Sequence, residues 1–119
     1  MSRFVLFGLI FLLSGCYYDV GSKLYPAPPC TTLTAYTYKT EVAPILNTYC
    51  NNCHSGKFAS AGIVLDNYTD VKAYVDNGKL LGTIEWTGGV SPMPKGGSKL
   101  STCNIGKVKA WIEAGAQNN

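Results

Sequence analysis

Two cysteines three positions apart, followed at once by the chain's one histidine, stand at Cys50, Cys53 and His54 in the run Tyr-Cys-Asn-Asn-Cys-His-Ser-Gly. Two thiols and an imidazole in that order suit a disulfide, a zinc site, a redox dithiol or a covalently held haem. Tetrahedral zinc needs four ligands, usually as two close pairs. The other candidate thiols, Cys30 and Cys103, are single and far apart, and there is no second histidine. A redox dithiol would open a helix within a strand–helix–strand pattern, whereas these cysteines follow a helical pattern. Cys-x-x-Cys-His has the spacing of c-type haem attachment. In that reading the thiols of Cys50 and Cys53 add across the two vinyl groups, and His54 is the proximal ligand of the iron.

A sixth ligand follows by elimination. Once an N-terminal signal is removed, Met93 is the only methionine left, and His54 is the only histidine. Met93 lies in Ser-Pro-Met-Pro-Lys-Gly-Gly, and Pro92 and Pro94 on either side restrict the loop that carries it. The sequence therefore assigns the metal to His54 and Met93. The competing role for Met93 is that of a gap-filling core side chain.

The first residues set the compartment. Arg3, an apolar run from Phe4 to Leu13 and then Ser14-Gly15-Cys16 form a stretch too short to span a bilayer but suited to a signal peptide. Leu13-Ser14-Gly15-Cys16 resembles a bacterial lipobox, which implies removal of residues 1–15 and lipid on Cys16. An ordinary secretory signal with a chance cysteine is the alternative. Tyr17, not an aspartate, follows the cysteine, which favours the outer membrane. The expected location is the periplasm or the cell surface. With Cys16 lipidated and Cys50 and Cys53 on haem, Cys30 and Cys103 remain in an oxidising compartment and are expected to pair. Two free buried cysteines are the competing state. Ten Lys and Arg against seven acids, net +3, is too mild and scattered for nucleic acid.

Helices must position these groups. Residues 16–38, broken by Pro26, Pro28 and Pro29, read as a lipidated tether and extended lead-in. Val42, Ile45, Leu46 and Tyr49 make a helical stripe, with Thr40 as its cap and Glu41 in the first turn. A short helix follows over Tyr68–Gly78. Glycine and proline from Gly82 to Gly97 read as one long irregular loop, of a kind that is usually functional. Ile105, Val108 and Ile112, widened by Trp111 and Ala114, predict a last helix capped at Ser101 or Thr102 and stopped by Gly115. Trp111 should pack the last helix on the first, against Ile45 or Tyr49. Three short helices bury too little to stand alone, so a large apolar group is expected among them.

Cys-x-x-Cys-His after a short helix, a late Met-Pro loop and a C-terminal helix with an aromatic residue together resemble class I cytochrome c. The phrases SPMPKGG and AWIEAGAQNN, with the lipobox, resemble small lipoprotein cytochromes c of the Bacteroidetes kind. The resemblance covers residues 39–119. It implies an all-α fold of three to four short helices with long loops around one covalent haem c. It also implies a backbone carbonyl accepting from the proximal histidine's other nitrogen. The matching stretch is Gly62-Ile63-Val64-Leu65, with Ile63 where the family has proline. Trp86 and Tyr68 are candidate donors to a haem propionate. Lys57 and Lys95 should lie at the haem rim, where they would steer an acidic partner or simply solubilise the surface. The expected function is a membrane-tethered, monomeric electron carrier between a redox donor and a redox acceptor, not an enzyme. Two alternatives stay open: a haem peroxidase or gas sensor with a displaceable Met93, and a cofactor-free structural lipoprotein with two disulfides.

Overall fold

The computed structural model describes residue 30 and residues 35–119. The expected signal peptide, the expected lipid site Cys16 and most of the expected tether lie outside the described residues. The chain divides into two units, Met1–Cys30 and Thr31–Asn119, and every described helix belongs to the second. All regular structure among the described residues is helical, as an all-α reading expects.

The first helix begins earlier than Thr40. Thr37 is its cap: its Oγ1 accepts from Thr40 N at 3.2 Å, while Glu41 Oε2 accepts from Thr37 N at 2.9 Å. Two otherwise orphaned N–H groups are thereby satisfied. The first turn, Tyr38–Val42, is wide and π-like. Helix α1, Ala43–Tyr49, continues it, with Pro44 in the first turn, where a missing N–H costs nothing. Val42, Ile45 and Leu46 face the core. Tyr49, predicted on that stripe, is 46% exposed.

Helix α2, Tyr68–Asp76, is capped by Asn67, whose Oδ1 accepts from Asp70 N at 3.0 Å. Val71 is its fully buried residue. Gly78, at φ +73°, turns the chain directly into α3, Lys79–Glu85. The sequence gives no sign of α3, because Gly82 at its centre reads as the start of a loop. Gly82 is there for space. A Cβ at that position would lie 3.1 Å from Val90 Cγ2 and 3.2 Å from the Thr87 carbonyl oxygen.

Helix α4, Thr102–Glu113, is capped by Ser101, whose Oγ accepts from Asn104 N at 3.1 Å. Ile105, Val108 and Trp111 are buried, while Ile112, predicted on the same stripe, is only partly buried. Ala114 is exposed and caps the helix end instead of widening the apolar face. Gly115, at φ +99°, reverses the chain and Ala116 is buried in its place.

The aromatic centre of the core is Tyr38. Its ring lies 5.5 Å from that of Trp111 and 5.2 Å, edge on, from that of Tyr68. Trp111 thus packs on the wide first turn, upstream of Ile45 and Tyr49. The tail then closes over this cluster. Tyr68 donates its hydroxyl to the Ala116 carbonyl at 2.8 Å, and Trp111 Nε1 donates to the Gln117 carbonyl at 2.9 Å. Tyr38 N and Lys39 N donate to Asn119 Oδ1 and O at 3.0 and 2.9 Å. Cys30 and Cys103 are disulfide-bonded, as their place in the cysteine inventory predicts.

Candidate functional site

The Cys-x-x-Cys-His run prolongs α1 by tight turns. Cys50 N donates to Leu46 O at 2.8 Å, and Cys53 N and His54 N both donate to Cys50 O at 3.1 and 3.0 Å. The helix therefore fixes where both thiols and the imidazole point. His54 is buried, at 8% exposure, and is clipped to one segment twice. Its carbonyl accepts from Leu65 N at 2.8 Å, and its Nδ1 lies 3.1 Å from the Ile63 carbonyl oxygen. A carbonyl only accepts, so Nδ1 carries a proton and, in the neutral ring, the lone pair is on Nε2. The contact implied for a family proline is made by Ile63, because the carbonyl depends on the turn and not on the side chain. Gly62, at φ +68°, lets that turn form.

Cys50, Cys53, His54 and Met93 line one cavity of about 550 Å³. That volume is in the range of sites for small molecules and prosthetic groups. Most of its wall is apolar, supplied by residues such as Ile63, Leu65, Leu80, Ile84 and Val90. Leu80 and Ile84 come from α3, so the helix hidden from the sequence builds one side of the site. Tyr74 and Lys79 are further wall residues that sequence reasoning missed, since neither belongs to a motif. Of the two lysines expected at a haem rim, Lys95 lines the cavity and Lys57 is not among its wall residues.

Two predicted roles are corrected. Trp86 Nε1 donates to the Met93 carbonyl at 2.9 Å, and Tyr68 donates to Ala116. Both polar tips are thus spent on backbone carbonyls and are not free for a propionate.

Cys50 and Cys53 are free thiols. The two-disulfide structural alternative therefore loses its second bridge. Burial pushes the Cys50 thiol up to about 11, since an apolar surrounding disfavours the thiolate. A redox dithiol needs the opposite shift.

The expectation of haem c with iron on His54 and Met93 is corrected by the donor set. Among the described residues, no group of three or more His, Cys, Asp or Glu side chains comes together that could hold a metal ion. Several carboxylates are committed elsewhere. Asp66 accepts from Gly56 N and Asn67, Asp76 pairs with Lys72, and Glu41 closes the first turn. Cys30 and Cys103 are used by their disulfides. Among the described residues the side chains build no such metal centre, which overturns the haem assignment.

Comparison with family models, curated proteins and solved structures finds no match to this chain.

Proposed function

We propose that this protein is a lipid-tethered electron carrier outside the cytoplasm. One observation carries the reading. Residues from two distant segments, Cys50-Cys53-His54 and Met93, line a single apolar cavity. A redox-active group held there is surrounded by low-dielectric side chains, which limit reorganisation when one electron arrives or leaves. The free thiols supply attachment atoms. His54 offers an oriented Nε2, and Met93 offers a soft, polarisable sulfur. Lys79 and Lys95 on the wall place positive charge beside the group, which suits an acidic partner. Cys16, if lipidated, keeps the carrier at the membrane where such partners reside.

The direct test is purification of the full chain from the membranes of its native host. A group bonded to peptides containing Cys50 and Cys53, with a reversible one-electron midpoint, is the expected result, and its mass and elemental content identify it. A colourless protein with both thiols free and no redox couple refutes the carrier role.

A further inference from the structure

Met93 is gripped at both ends of its own residue. Its N–H donates to the Thr83 carbonyl at 3.1 Å, and its carbonyl accepts from Trp86 Nε1 at 2.9 Å. Both partners belong to the end of α3. There, Thr87 N donates to Gly82 O at 2.9 Å, and the missing Cβ of Gly82 lets the returning loop approach. Trp86 sits at φ +60°, ψ +42°, a left-handed conformation that an aromatic side chain rarely adopts. It is also 45% exposed. Core packing does not account for a half-exposed indole held in an unfavourable backbone conformation. The bond to Met93 does.

We infer that Trp86 is a positioning residue, whose indole N–H fixes the Met93 peptide so that the thioether is held against the cavity. The inference rests on the carrier reading of the cavity, because it gives the thioether an occupant to face. Thr83 and Trp86 together leave the Met93 backbone little freedom, so the sulfur's direction depends on the side-chain torsions alone. The left-handed turn at Trp86 is what brings the indole back over the loop. Position 86 therefore trades backbone comfort for a fixed methionine.

The experiment follows the Met93 methyl group by NMR in protein labelled with 13C-methyl methionine. Met93 is the only methionine after residue 1, so its signal is unambiguous. The wild type is expected to show one ordered Met93 methyl signal and a slowly exchanging Trp86 indole N–H. Trp86→Phe keeps an aromatic ring but lacks the donor. Trp86→Gly also lacks it, while favouring the same backbone conformation. Both variants should shift the methyl signal and lower its order, and both should move the midpoint potential of the bound group. Trp86→Gly should do so without lowering the melting temperature, which separates positioning from general stability. An unchanged methyl signal in either variant overturns the inference. So does a freely exchanging indole N–H in the wild type, even if neither variant folds. If the protein carries no redox group, the carrier reading fails on the potential, while the methyl signal still decides the role of Trp86.

Discussion

Tyr68→Phe removes one oxygen from the described body and tests how the tail is held. The Tyr68 hydroxyl donates to the Ala116 carbonyl at 2.8 Å, and Ala116 itself is 2% exposed. Phenylalanine fits the same space, so no packing is lost and the edge-on contact with the Tyr38 ring is kept. What remains is a buried carbonyl without its donor. Leaving such a group unsatisfied costs about 1–3 kcal/mol. Tyr68 is only partly buried, so water can approach in part, and the expected loss is about 1–2 kcal/mol. At roughly 4–8 °C per kcal/mol for a domain of this size, the midpoint falls by about 4–16 °C.

The neighbouring bond sharpens the test. Trp111 Nε1 donates to the next carbonyl along, that of Gln117, at 2.9 Å. Both bonds restrain one segment in which Ala116 is held at φ +48°, a conformation that alanine leaves readily. Once either bond is gone, the other has a looser segment to hold. The losses in Tyr68→Phe, Trp111→Phe and the double variant should therefore be non-additive by about 0.5 kcal/mol or more. Urea unfolding followed by far-UV circular dichroism measures all three. A Tyr68→Phe loss below about 0.3 kcal/mol, or strict additivity within that margin, would show that the tail is held by something other than this pair.

The remaining predictions concern the core, the bridge and the buried thiol. Leu46, 2% exposed at the centre of α1, should cost about 2–5 kcal/mol on change to Ala, read from the same urea curves; a smaller loss means the core collapses onto the gap. Cys103→Ser should lower stability by roughly 4 kcal/mol in the chain-entropy picture if its bridge closes back to Cys30. Unreduced peptide maps of the wild type should show those two peptides joined, and separate alkylatable peptides would contradict this. In the chain refolded without a bound group, burial raises the Cys50 thiol from 9.0 to about 11. At pH 8 it then presents about a hundredfold less thiolate than an ordinary thiol. Cys53 is exposed and should be alkylated first, while the Cys50 rate itself rises about tenfold per pH unit until about pH 11. The sign also fixes stability. The protonated thiol is the form the fold prefers, so this contribution is complete below pH 9 and is lost as pH rises through 11.

Much of the helical body was legible because its signals are local. The apolar spacing of Ile105 and Val108, the neighbouring Trp111 and a cap at Ser101 or Thr102 each need only a few residues of sequence. All three apolar residues are buried and Ser101 is the cap, though Ile112 is only partly buried. The start of α1 misled because Thr37 and Thr40 both offer a hydroxyl just before Glu41. The choice between them depends on Tyr38 being drawn into the core, 9% exposed, between two other rings. Tertiary packing, invisible to a window of neighbours, pulled the helix three residues upstream. The polar tips of Tyr68 and Trp86 were misread for the same reason, since the carbonyls they reach lie 48 and 7 residues along the chain.

Helix α3 shows most sharply where reading by composition stops. Glycine at position 82 weakens a helix when judged alone, and the Gly- and Pro-rich run beyond it suggests that regular structure has ended. Yet Leu80 and Ile84 are 5% and 3% exposed, so burial of one face offsets the weak propensity of the other. That other face has no room for a side chain, because Val90 and Thr87 press against Gly82 from the returning loop. The residue that hides the helix from the sequence is thus the one that lets the loop close on it. The same loop carries Met93 to the cavity wall. A helix-favouring residue at position 82 would make α3 easy to read while pushing away the loop that brings Met93 to the cavity wall.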